Sequence, residues 1–261
     1  MQHDYLIPKL FGICLLFVAC YMSVWFLVAK KRKRLDIVDR VWGGGFVLMA
    51  WLAVIAQPSV RTYMVAVMVS VWAVRLTSHL SRRGRLHAED PRYAELAKKW
   101  NTRNIWPRAY RSVFLLQGFL IVIIGMPIIF NVGTALPELR LLFTAGYIVW
   151  ALGFYIEYRA DAQLAEFKSD AANKGKVLDA GLWQYSRHPN YFGELLQWWG
   201  IGLIASQTSF GWAALVGPAL LTVLIKYVSG IPTVEKHREN DLQYQEYKKH
   251  TNPLLPWPTK H

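Results

Sequence analysis

The stretches Leu10–Ala29 and Phe114–Phe130 each approach the length of a bilayer crossing without one charged side chain. The hydrocarbon core is about 30 Å thick, so a helix needs about 20 apolar residues to cross it. Runs of this length fit lipid better than a water-soluble core. The pattern recurs along the chain, which reads as seven spans at roughly 6–29, 36–56, 63–80, 112–131, 141–159, 191–206 and 210–228. A length of 261 residues, 54% of them hydrophobic, accommodates seven spans with short connections. The expected fold is therefore an all-α integral membrane protein, with residues 1–261 forming one polytopic domain of seven transmembrane helices.

The longest stretches outside the spans are 81–111, 160–190 and the tail from 229. If the helices alternate in direction, all three share one side with the cluster Lys30-Lys31-Arg32-Lys33-Arg34. Of thirty Lys and Arg, only Lys9, Arg61 and Arg140 then fall on the opposite side. Excess Lys and Arg marks the cytoplasmic face, which puts the N-terminus outside and the C-terminus in the cytoplasm. The first block ends in a stop-transfer pattern and lacks a charged leader, so it reads as a retained span, not a cleaved signal. The net charge of +13 fits an anionic lipid surface or a phosphorylated cofactor. It does not point to nucleic acid, because the basic residues flank apolar spans. Cys14 and Cys20, the only cysteines, both lie in the first block and form no metal or disulfide framework.

A charge at mid-bilayer costs about 2.5–3.5 kcal/mol on insertion scales, so each one needs a reason. Span two carries Asp39 and Arg40, then Trp42 and Gly43-Gly44-Gly45. The acid and base read either as an interfacial pair or as cavity residues. The glycines permit close helix packing, and no strand or Lys-Ser/Thr accompanies them to make a phosphate loop. Trp72, Arg75, His79 and Arg82 in span three fall on one helical stripe, as would one wall of a polar cavity. Glu157, Asp161, Leu164 and Lys168 make a similar stripe at the end of span five.

The segment from Gly181 to Glu194 reads GLWQYSRHPNYFGE. Pro189 suits the first turn of a helix, which would leave free N–H groups and a positive dipole beside Arg187 and His188 as an anion site. Asn190, Glu194 and Gln197 follow on one polar face. This segment, with LLQWWG after it, resembles the C-terminal signature of the steroid 5α-reductase superfamily, closest to its bacterial-type branch. EDPRY at Glu89–Tyr93, FLLQG at Phe114–Gly118 and the ending YQEYKKHTNPLLPWP support the resemblance.

The resemblance implies a membrane reductase whose cytoplasmic loops and C-terminal part, about 157–261, bind NADPH, with a hydrophobic substrate on the N-terminal side. It places Arg85, Asp161, Asn190 and Glu194 where that family contacts the cofactor, and Lys168 and Lys176 where it uses arginine. Arg187 and His188 join them as the anion cradle. In the steroid enzymes hydride reaches the β-carbon of an enone while an acid and a phenol polarise the ketone. Here Asp39 stands for the acid, and Trp72 falls at the phenol's position, where its indole donates a hydrogen bond but no proton. His79 completes the catalytic candidates. The expected activity is NADPH-dependent reduction of a C=C bond conjugated to a carbonyl in a sterol or isoprenoid-like lipid. Two alternatives stay open. One is an S-adenosylmethionine-dependent methyltransferase of the isoprenylcysteine carboxyl type, which shares the Arg-His-Pro-x-Tyr-x-Gly core. The other is a non-enzymatic lipid-binding membrane protein.

Overall fold

Apolar runs become helices throughout the computed structural model, which describes residues 4–85, 91–100, 105–136 and 139–258, without the side chains of 82–85, 91, 94 and 140. The helices are α1 Leu6–Arg32, α2 Ile37–Ala56, α3 Val60–Arg85, α4 Pro91–Lys99, α5 Ile105–Ile124, α6 Met126–Phe130, α7 Arg140–Ser169, α8 Pro189–Ser206, α9 Gly211–Lys236 and α10 Leu242–His250. α5 and α9 each contain a wider π turn, at Tyr110–Leu115 and Leu224–Val228. By contact the chain divides into two compact units, Met1–Leu136 with Thr208–Ala214, and Pro137–Gln207 with Leu215–His261.

Six helices are long and apolar enough to cross a membrane: α1, α2, Val60–Ser81 of α3, α5, Leu141–Ser169 of α7, and α9. The protein is therefore an all-α, multi-pass membrane protein, with six such helices among the described residues where the sequence suggests seven. The difference is α8. It has 18 residues, but Asn190, Glu194 and Gln197 take up apolar positions and lower its hydropathy.

In the first unit α2 touches α1, α3 and α5, and its glycine triplet explains how. A Cβ on Gly43 would sit 3.2 Å from Ala73 Cβ on α3, and one on Gly45 would sit 2.9 Å from Ile121 Cδ1 on α5. One on Gly44 would collide with the Tyr21 hydroxyl of α1, which donates to Val41 O at 2.7 Å. Without water to drive helices together, dispersion at close range and such hydrogen bonds hold the unit. At the other end of α2, Arg61 donates to Asn131 O (2.9 Å) and Gly133 O (2.6 Å). Those bonds satisfy carbonyls of the turn just past α6.

The second unit is built on α7 against α8. Gly146 and Gly153 lie two turns apart on α7, as do Gly193 and Gly200 on α8. A Cβ on Gly153 would lie 2.6 Å from Gly193 O, and one on Gly200 would lie 2.7 Å from Gly146 O. The two backbones therefore touch, as small residues allow in lipid-embedded helices. The segment before α8 is fixed to α7. Trp183 Nε1 donates to Ala160 O (3.1 Å), and Leu182 N–H donates to Gln163 Oε1 (3.1 Å). Gly181, at φ 64°, makes the left-handed turn that delivers it.

Candidate functional site

α8 begins at Pro189, as its sequence demands, and its polar face meets the acidic stripe of α7. Asn190 Nδ2 donates to Asp161 Oδ1 at 3.1 Å, and one level deeper Gln197 Nε2 donates to Glu157 Oε2 at 2.6 Å. Glu157 and Gln197 are only 3% and 1% exposed. Both pairs follow from helical spacing, i to i+4 on α7 and i to i+7 on α8, once the glycines bring the backbones together. Glu194 lies on the same face between the two amides and is half-buried. Asn190 Oδ1 and Gln197 Oε1 are buried and accept no hydrogen bond among the described residues. The ladder is thus rich in acceptors and poor in donors.

Arg187 and His188 have a different setting from the open anion cradle expected of them. Arg187 is 6% exposed, and its Nε donates to Glu235 Oε1 at 2.9 Å. Its Nη1 also donates to the carbonyls of Lys248 (3.3 Å) and Thr251. Glu235 Oε1 lies 3.4 Å from His188 Nε2, and its Oε2 lies 2.9 Å from Lys248 Nζ. The His188 ring stacks on Tyr191 with centroids 5.3 Å apart. A carboxylate from the end of α9 therefore occupies the place beside these two side chains where an anion would bind. Sequence reading missed Glu235, which sits in the charged run EKHREND and looks solvated there. The one available signal was an acid flanked by bases at the end of a span.

The segment after α9 is tied to the same knot. Arg187 N–H donates to Asn252 O (2.8 Å), Ser186 Oγ donates to Leu254 O (2.8 Å), and Tyr247 Oη donates to Trp183 O. Burial, with the Glu235 carboxylate adding to it, pushes the Tyr244 phenol up to about 12. Lys168, near the end of α7, and Lys176 in the loop beyond it are both exposed.

In the first unit Asp39 lies in the first turn of α2, where the helix dipole favours a carboxylate, and not at mid-span. Its Oδ1 accepts from Tyr93 Oη at 2.6 Å and its Oδ2 from Arg92 Nη2 at 2.9 Å. Tyr93 is buried, so α4 contributes a phenol that sequence reading did not connect with Asp39. Arg40 turns to Asp36 instead (2.8 Å), as does Arg34 (2.6 Å). Burial would raise the Asp36 carboxyl, but the Arg34 and Arg40 hydrogen bonds outweigh it and hold the group below its ordinary range.

The stripe on α3 is graded. Trp72 is buried, Arg75 half-buried and His79 exposed. Trp72 packs edge-on to Phe46 (5.5 Å) and Trp42 (6.3 Å), forming an apolar three-ring cluster one turn inward from Asp39. Trp42 Nε1 is buried there with no hydrogen-bond partner among the described residues. Arg85 closes α3 and its side chain lies outside the described part, as do Glu89 and Asp90 of EDPRY.

Known proteins match this chain in part. The 3-oxo-5-alpha-steroid 4-dehydrogenase 1 of Bos taurus is 26% identical over 115 residues, 44% of this chain and 42% of that protein. The protein of the same name from Homo sapiens is 27% identical over 116 residues, 44% and 41% of the two chains. The steroid 5-alpha-reductase DET2 of Gossypium hirsutum is 33% identical over 70 residues, 26% and 27% of the two. The similarity is distant, and each matched stretch spans less than half of the relative's length. No solved structure matches the chain at a significant level. Over most of its length, residues 25–251, the chain matches the family described as "Protein of unknown function (DUF1295)", and it belongs to that family.

Proposed function

We propose that the protein is a membrane-embedded, NADPH-dependent reductase of a C=C bond conjugated to a carbonyl in a hydrophobic, sterol- or isoprenoid-like substrate. The observation that carries this reading is the acceptor ladder between α7 and α8. Asp161, Glu157 and Glu194, with the unfilled oxygens of Asn190 and Gln197, suit a ligand that presents N–H and O–H groups. A carboxamide and ribose hydroxyls have that character, and a phosphate does not. The cofactor's phosphates are assigned to the exposed basic side chains Lys168 and Lys176. Arg187 and His188, engaged by Glu235, act by holding the start of α8 in place.

When bound, NADPH supplies the hydride that reaches the carbon β to the carbonyl. The chain's own task is to stabilise the oxygen on which charge develops, with a donor already oriented toward it. Trp72, His79 and the Asp39–Tyr93 pair are the candidate donors, and the Trp42–Phe46–Trp72 rings offer the apolar surface. In this assignment Asp39 places the Tyr93 hydroxyl, whose one proton turns from Asp39 to the substrate oxygen.

Seven crossings, N-terminus outside and C-terminus cytoplasmic, belong to the same proposal. Parity supports them. The residues just before α8 bond to Glu235 at the end of α9, so α8 and α9 together start and finish on one side. With α9 crossing, the proposal has α8 cross as well.

Calorimetry on the detergent-purified protein tests the cofactor. Asn190→Ala or Asp161→Ala is expected to weaken NADPH binding by about 1–3 kcal/mol through loss of a buried hydrogen bond. The methyltransferase alternative predicts tight binding of S-adenosylmethionine and none of NADPH. That result would overturn the proposal.

A further inference from the structure

We infer that the segment Leu254–Pro258 is an interfacial membrane anchor, with Leu255 and Trp257 set into the headgroup–acyl boundary beside the end of α9. The depth of the segment follows from its bonds. Glu235 is the penultimate residue of the span Gly211–Lys236, and it is bonded to Arg187. Two residues upstream, Tyr185 O accepts from Trp257 N–H at 3.1 Å. The segment therefore runs alongside the chain at the level where α9 leaves the apolar core.

Orientation follows from burial. Leu254 is 6% exposed and faces the protein, whereas Leu255 and Trp257 are 65% and 63% exposed. Tyr185, 42% exposed, joins them. Together they form an apolar patch built from two hydrogen-bonded segments, and α9 exposes Tyr227, Val228 and Val234 toward its own end. Tyr and Trp are favoured at this depth because a ring can sit in acyl chains while its polar edge meets water. The backbone suits the place too. Pro256 and Pro258 have no N–H to leave unsatisfied, and the N–H between them, of Trp257, is already bonded. The occupant we assign is the lipid of the same bilayer.

A single cysteine at Leu255, on a background with Cys14 and Cys20 replaced by Ser, carries a nitroxide into phosphatidylcholine nanodiscs. Power saturation then compares collisions with oxygen, which partitions into lipid, and with a water-soluble nickel chelate. A label at Lys249, also exposed, is the aqueous reference. The anchor predicts an oxygen-to-nickel ratio at position 255 several-fold above that at 249. Equal ratios would overturn it and leave the patch facing water. Leu255 is largely exposed, so the substitution should leave the Arg187–Glu235 knot intact, and near-wild-type hydrogen exchange at Arg187 N–H checks this. The result is independent of the reductase reading.

Discussion

Removing Glu235 is the sharpest perturbation the structure offers, because one carboxylate faces the Arg187 and Lys248 cations and the His188 ring. Arg187 and Glu235 have side chains 6% and 11% exposed, and the third partner, Lys248, is 44% exposed. Deleting one member of a buried pair leaves the other charge desolvated and uncompensated, a loss of about 3–5 kcal/mol. Water reaching Lys248 relieves part of its own loss, so Glu235→Ala belongs near the lower end. At about 1.4 kcal/mol per factor of ten, the segment after α9 should open about 100-fold more often or more. The amides that report it are Arg187 N–H, bonded to Asn252 O, and Trp257 N–H, bonded to Tyr185 O. Hydrogen exchange in detergent should show both accelerated together, with the Gln197 region of α8 less affected. Glu235→Gln keeps the shape and an acceptor, so it should cost less. Arg187→Met combined with Glu235→Leu should recover much of the loss, because neither charge is then stranded. The reasoning fails if Glu235→Ala exchanges at the wild-type rate, or if the double variant is as open as the single one.

Other outcomes follow from particular contacts. Gly193→Ala places a methyl 2.6 Å from Gly153 O and should part α7 from α8, seen as loss of a monodisperse elution peak, whereas Gly12→Ala meets nothing and should be neutral. Asp39→Asn removes the Arg92 ion pair but keeps shape, and should leave NADPH binding and melting near wild type while turnover falls; normal turnover would remove Asp39 from the chemistry. Tyr244 has a folded pKa raised by burial to about 12, above its unfolded value of about 10. Its contribution to stability is therefore complete below about pH 10 and lost as pH rises through about 12. Comparing the tyrosinate absorbance of wild type and Tyr244→Phe would locate that late titration.

Helix positions were legible in the sequence because lipid writes them in long apolar runs; charged or polar turns extended several ends, and the run expected at 112–131 breaks at Gly125. α7 runs on to Ser169, beyond the span expected to end at 159, because its last turns are helical but wet. The two polar stripes, Glu157–Asp161 and Asn190–Gln197, were each legible as a periodicity. Their meeting was not, since it depends on the Gly146–Gly153 and Gly193–Gly200 pairs as a spacing shared by two helices. Pairings across long sequence distance left no local trace at all. Tyr93 reaches Asp39 over 54 positions and Glu235 reaches Arg187 over 48, and neither partner has a period that announces the other.

The feature that keeps α8 out of a count of apolar helices is also what makes it a candidate site. A polar group in lipid is costly unless another polar group answers it, so Glu157 needs Gln197 as much as Gln197 needs Glu157. Backbone contact through glycine brings α7 and α8 near enough for those answers, and it leaves oxygens on Asn190 and Gln197 that nothing in the described chain fills. Replacing Asn190, Glu194 and Gln197 by leucine would give α8 the hydropathy of an ordinary span. It would also remove the amide partners that α8 gives to Glu157 and Asp161. A helix kept this polar against the demands of the bilayer is most simply understood as serving a ligand with donors of its own, and its polarity is then a measure of the site.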